Sequence, residues 1–143
     1  MQPGALVLLV DPQLQSRHGL WRCLSEPFGV IEATTARGAT RWIDERPDID
    51  ALVVEDDLPD GRGADLAASL AAREHPLAKH TIVMTRARPQ PAGGITVVER
   101  GDLRAVMSTL TSWFAVRDLP QARRLGEVWS RLPSRIAALR PRS

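Results

Sequence analysis

The sequence predicts one α/β domain built on a doubly wound, five-stranded parallel sheet with strand order 2-1-3-4-5. Two observations carry the prediction. Short apolar runs rich in Val, Ile and Leu alternate with segments of helical period along residues 1–115. Asp11, Glu55, Thr85 and Glu99 each close one of those runs, at the strand ends where such sheets gather their ligand sites.

Ala5–Val10 is continuously apolar, as a strand buried on both faces must be. Leu14, Leu20, Trp21 and Leu24 recur at helical spacing and predict a helix over Leu14–Leu24. Val30–Ala33 is a short second strand. A second helix is expected over Ala36–Glu45, with Trp42 and Ile43 on its apolar face and Pro47 ending it. Ala51–Val54 is the third strand, and Asp60-Gly61-Arg62-Gly63 reads as a loop. Ala64–Glu74 reads as a helix with Leu66 and Leu70 inward. Thr81–Thr85 and Ile95–Val98 are the last two strands, and Asp102 is a good N-cap for a helix over Leu103–Ala115. Tryptophans 21, 42 and 113 share helix faces with other apolar residues and are expected in the core.

With 143 residues, 43% hydrophobic and 25% charged, the chain suits one domain with a full core. No apolar run nears the roughly 20 residues of a membrane span, and no secretory signal is expected. The single cysteine, Cys23, cannot form an internal disulfide, which points to a reducing cytoplasm and a structural, buried thiol. The 18 arginines against one lysine fit a GC-rich bacterial source. His18, His75 and His80 lack metal-ligand spacing, and Asp11-Pro12-Gln13-Leu14 is not a dinucleotide-binding turn.

Charge divides the chain into two expected parts, 1–115 and 116–143. The first nets −3 and the second +5. In the second, Asp118-Leu119-Pro120 signals a helix start. Ala122, Leu125, Val128, Trp129 and Leu132 follow at helical spacing, with Arg123 and Arg124 on the polar side. Pro133 interrupts this basic amphipathic extension. Its apolar stripe is expected to pack on its own domain or on a second protein molecule, which includes homodimerisation. Contact with nucleic acid or an anionic membrane surface through its arginines is a further reading, and nucleic acid is the weaker one, since no helix-turn-helix or RNA motif is present.

Leu9-Val10-Asp11, Val53-Val54-Glu55 followed by Pro59 and Gly61, Val83-Met84-Thr85 and Thr96-Val97-Val98-Glu99 stand in an order and spacing that resembles the CheY-like receiver domain of two-component response regulators. The resemblance spans roughly residues 5–115. It implies a flavodoxin-like fold and an aspartyl-phosphate switch fed by a histidine kinase with a magnesium ion.

The chemistry of that switch needs an aspartate nucleophile, a hard cation on oxygen ligands, a hydroxyl, and a lysine to take up phosphoryl charge. Asp11 keeps one acidic group, but its usual neighbour is Pro12. Glu55 stands at the acceptor position, and its extra methylene spoils in-line attack. Thr85 keeps the hydroxyl. The best register puts Glu99 at the lysine position, and a shift of one puts Arg100 there. Thr96 replaces the usual switching aromatic. The ten residues Arg86–Ile95 contain two prolines and two glycines, so the fourth helix is expected to be missing or reduced to a turn.

Arg86 follows the threonine and either folds over the pocket to pair with Glu55 or points into water; Arg100 offers the same pairing. Asp56 is expected on the other face of its strand and Asp57 in the following loop. Asp11, Glu55 and Asp57 are weak candidates for holding a cation, and no resident cofactor is expected. The whole reads as an atypical receiver that is not an enzyme, is independent of phosphorylation, and acts by protein–protein interaction. The alternatives are a phosphoacceptor using Asp56 or Asp57 with a divalent ion, or a basic-tailed nucleic-acid adaptor.

Overall fold

Leu6-Val7-Leu8-Leu9-Val10 has no polar face to give to water, and it becomes the central strand β1, with Val7 to Val10 fully buried. The computed structural model describes residues 4–87 and 94–114. In order these are β1 (Leu6–Val10), α1 (Leu14–Leu24), β2 (Gly29–Ala33), α2 (Ala36–Glu45) and β3 (Ala51–Glu55). Then follow β4 (Asp57–Leu58), β5 (Gly61–Arg62), α3 (Gly63–Ala72), β6 (Thr81–Thr85), β7 (Thr96–Glu99) and α4 (Leu103–Trp113). Five strands form one parallel sheet in the order β2-β1-β3-β6-β7. This is the predicted 2-1-3-4-5 arrangement of the flavodoxin-like, CheY-like fold.

Strand alternation assigns each side chain to a layer. Val7, Leu9, Ala51, Val53, Ile82, Met84 and Val98 face α1 and α4, where they meet Leu20, Cys23, Leu24, Val106 and Leu110. Leu8, Val10, Leu52, Val54 and Val83 face α2 and α3 and meet Ala39, Ile43, Ala67 and Leu70. Burial pushes the Cys23 thiol up to about 11, so it is an inert core group. Among the described residues no helix is long and apolar enough to cross a membrane.

The helix starts are only partly local. Asp102 caps α4 by accepting from Ala105 N–H at 3.0 Å, as expected, and Thr35 Oγ1, which the sequence reading did not single out, caps α2 by accepting from Gly38 N–H at 2.9 Å. A second cap of α2 comes from far along the chain. Asp60 accepts from Ala36 N–H at 2.8 Å and Arg37 N–H at 3.0 Å. Asp60 lies in the segment read as a loop, which is instead the turn of a small β4–β5 hairpin.

Other departures are local. Helix α3 starts one residue early, at Gly63, and stops at Ala72, because Glu74 takes a left-handed φ of 54°. A 3₁₀ turn over Pro76–His80 follows, capped by His75 Nδ1. Trp21 is not core: it is 39% exposed and stacks on His18 at a ring-centroid distance of 6.0 Å. Leu14 is also exposed, since the first turn of α1 lies beyond the sheet. Trp113 is half-buried against His80 and Phe114. The expected loss of the fourth crossover helix falls largely on residues 88–93, and the basic extension with Arg123, Arg124, Leu125, Trp129 and Leu132 falls on 116–143. Both lie outside the described residues.

Candidate functional site

Parallel pairing brings four chain segments to one edge of the sheet. The register pairs Val10 with Val54, Glu55 with Met84 and Thr85 with Glu99. Asp11 follows β1, Glu55 ends β3, Thr85 ends β6 and Arg100 follows β7. Asp11 and Glu55 are both completely buried.

Asp11 is held by its own turn. Its N–H donates to Ala33 O, and its Oδ1 accepts from Gln13 N–H at 2.9 Å. Its carbonyl accepts from Arg17 Nη1 at 3.0 Å, and Arg17 also pairs with Glu32 at 3.2 Å.

The cation of the site is Arg100. Its backbone N–H continues the ladder to Thr85 O at 2.8 Å, and Gly101, with φ 90°, then turns the chain away. The guanidinium reaches inward and is only 13% exposed. Nη1 lies 3.5 Å from Glu55 Oε1, Nη2 lies 3.7 Å from Asp11 Oδ1, and Nη2 donates to Gln13 Oε1 at 2.6 Å. Glu99, given the lysine position by the preferred register, is exposed instead. Successive side chains alternate at the strand end, so only one of Glu99 and Arg100 can face the pocket. Arg86 is exposed and makes no ion pair with Glu55; its charge acts there only at longer range. Of the two arginines considered, Arg100 makes the contact.

The carboxylates are balanced by charge more than by hydrogen bonding. Asp11 Oδ2 and both Glu55 oxygens are buried without a hydrogen-bond partner. Burial pushes the Glu55 carboxyl above its ordinary range, with a further push from Asp11, and outweighs the pull of Arg100, of the nearby Asp57 backbone N–H and of the more distant Arg86. Thr85 is half-buried, and its hydroxyl accepts from Ala87 N–H at 3.1 Å.

The neighbouring aspartates are committed differently. Asp56 Oδ1 accepts from Ala64 N–H at 3.0 Å, in the first turn of α3, and Oδ2 pairs with Arg62 Nη2 at 2.5 Å. Burial alone raises the Asp56 carboxyl, but these two partners outweigh it and hold it below its ordinary value. Asp57 is exposed, with its backbone in the hairpin. Gly63 lets α3 approach this bend: a Cβ there would sit 2.5 Å from Glu55 O. The sequence marked Asp60, Arg62 and Gly63 only as loop residues and gave Gln13 and Arg17 no role, because each acts here through a partner supplied by another segment.

A magnesium ion does not fit this arrangement. The three partnerless oxygens are suitable donors, but among the described residues only two carboxylates converge, and Pro12 supplies no third. The guanidinium already occupies the position between them. Among the described residues no group of three or more His, Cys, Asp or Glu could hold a metal ion.

No family model matches the sequence, and no curated protein matches it either. Solved structures do. One is the signal receiver domain of an HD domain-containing protein from Pseudomonas fluorescens Pf-5, at 21% identity and TM-score 0.65, covering 76% of this chain and 93% of that one. A CheY-like response regulator receiver domain protein from Methanospirillum hungatei JF-1 aligns at 19% identity and TM-score 0.66, over 85% and 98%. A third match is the co-crystal structure of the Saccharomyces cerevisiae histidine phosphotransfer signaling protein Ypd1 with the receiver domain of its downstream response regulator Ssk1. It aligns at 16% identity and TM-score 0.66, over 83% and 94%. The likeness is one of fold.

Proposed function

We propose that this chain is a receiver-type module of two-component signalling that works through protein contacts, without phosphoryl transfer and without enzymatic activity of its own. The observation that carries this reading is Glu55, fully buried at the acceptor position and paired with Arg100. A phosphoacceptor must meet its donor in line from solvent, and a hard cation must lie beside it to take up the charge. Here the longer side chain is enclosed, and the adjacent positive charge belongs to the protein itself. A carboxylate held permanently against a cation imitates part of what a phosphate would bring, with one charge in place of about 1.5 to 2.

A signalling protein is the proposed partner, in the manner of the receiver and phosphotransfer protein crystallised together from yeast, and the buried thiol Cys23 suits a reducing cytoplasm. The neighbouring carboxylates do not favour the phosphoacceptor alternative. Asp56 has both oxygens engaged, and Asp57 stands outside the pocket on the hairpin. Incubation of the full chain with acetyl phosphate and magnesium, followed by intact-mass spectrometry, is expected to show no phosphoryl adduct. An adduct mapped to Asp56 or Asp57 sinks the proposal.

A further inference from the structure

We infer that an apolar groove at the amino ends of β3, β6 and β7 seats this chain's own C-terminal extension, with Trp129 as the anchor. This goes beyond the proposed function and does not depend on the Asp11–Glu55 pocket, which lies at the opposite edge of the sheet.

The groove has a volume of about 820 Å³ and lies between the segments that lead into those three strands. Its floor is aliphatic. Ile49 and Leu77 are buried there, and Ala78 and Ile95 are half-buried against the core layer shared with α2 and α3. Gly94, with φ 86°, turns the chain into β7 and contributes no side chain to fill the space. An apolar hollow of this size marks a place where a second surface docks.

The path of the chain points to the occupant. Helix α4 returns from the carboxyl edge of the sheet to its amino edge and ends beside the groove. The Phe114 ring lies 5.1 Å from that of His80, and His80 lines the groove. Residues 115–143 continue from that point, and their apolar stripe begins at Ala122, eight residues beyond Phe114. At roughly 3.3 Å per residue such a connection reaches about 25 Å, ample to turn onto the groove. A segment tethered so close meets its site at an effective concentration on the order of millimolar. A free partner has to exceed that.

The chemistry of the two surfaces matches. Leu125, Trp129 and Leu132 stand at i, i+4 and i+7, one apolar face of a helix. An indole with its aliphatic neighbours suits an aliphatic floor. Arg124 and Arg131 border that face at helical spacing, and the groove carries the carboxylates of Asp50 and Glu74 against the ammonium of Lys79. Net charge runs the same way, +5 on the extension and −3 on the rest. Burial of Trp129 supplies the affinity, and the arginine–carboxylate pairs at the rim fix the orientation.

The test uses the full chain, observed by NMR with labelled methyl groups. Nuclear Overhauser contacts are expected from the Trp129 indole to methyls of Leu77, Ala78 and Ile95. Trp129→Ala is expected to shift those methyl signals while the amides of Asp11 and Glu55 stay in place. Ala71→Arg sets a cation at the exposed margin of the groove and is expected to abolish the contacts without unfolding the domain. A mixed sample of labelled and unlabelled chains separates contacts within one molecule from contacts between two.

Contacts of Trp129 with another face of the domain, or with none of it, overturn the inference. Contacts that arise only between labelled and unlabelled molecules overturn it too, since the occupant is then a second copy. Should a variant fail to fold, the contacts seen in the natural chain decide alone.

Discussion

Arg100 Nη1 lies 3.5 Å from Glu55 Oε1, in a pocket where Glu55 is wholly buried and Arg100 nearly so. The pair joins the end of the middle strand to the end of an edge strand, and Nη2 extends the link to Asp11 and Gln13. One guanidinium thereby ties together the segments that follow β1, end β3 and follow β7.

Breaking such a pair from the cationic side leaves two buried carboxylates without compensation. Arg100→Ala is expected to lower stability in metal-free buffer by about 3–5 kcal/mol, measured by urea unfolding at neutral pH. A loss below about 1 kcal/mol would show that water already compensates the pocket.

The Glu55 carboxyl supplies a pH signature. Its folded value is raised above the unfolded one, by burial first, so the folded state holds the proton more tightly. Ionised Glu55 therefore costs stability above the folded value, and the cost is relieved as pH falls through that value toward the ordinary carboxylate range. Glu55→Gln is expected to flatten this limb of the urea-midpoint profile. An unchanged profile would remove Glu55 as its source.

Asp56 has the opposite sign. Its carboxyl is held low, so its contribution is complete above the ordinary Asp value of 3.8 and is lost as pH falls through the folded value. Asp56→Ala removes the acceptor for Ala64 N–H and is expected to cost about 0.5–2 kcal/mol, the usual range for losing a helix cap. Asp56→Asn should recover part of it, since an amide oxygen still accepts that bond.

Close packing at the β3–α3 bend is tested by Gly63→Ala. The new Cβ would meet Glu55 O at 2.5 Å and Asp56 Cα at 3.1 Å, all backbone contacts that cannot swing aside. A loss of about 1–3 kcal/mol is expected, together with displaced amide signals at Glu55 and Asp56 in an NMR spectrum.

The layers of the core give a contrast within one helix. Leu24 is fully buried, and Leu24→Ala is expected to cost about 2–5 kcal/mol. Trp21, three residues earlier, rests on His18 at the surface, so Trp21→Ala should cost less than half as much in the same urea series.

That pair of residues also marks where sequence reasoning weakened. Helical period placed Leu20 and Leu24 in the core correctly, but Trp21 lies at the margin of the apolar stripe, and only the width of the sheet decides which margin is covered. The strands were legible because each carries its signal locally, as a buried run bounded by acid or turn residues. The hairpin over Asp57–Arg62 was not, since two-residue strands have no period to detect. Asp60 looked like a turn residue and is one, yet its carboxylate caps a helix that precedes it by more than twenty residues.

The sequence by itself determined the order of strands and helices, the parallel sheet, and the arrival of Asp11, Glu55 and Thr85 at one edge. Period and chain connectivity require these whatever the details of packing. It also supplied two arginines and two registers for the positive charge without choosing between them. Tertiary structure made the choice. The ladder from Arg100 N–H to Thr85 and the turn at Gly101 send Arg100 inward and leave Glu99 in solvent. A buried carboxylate needs a partner within a few ångströms, and which cation comes that close is set by the three-dimensional meeting of separate loops.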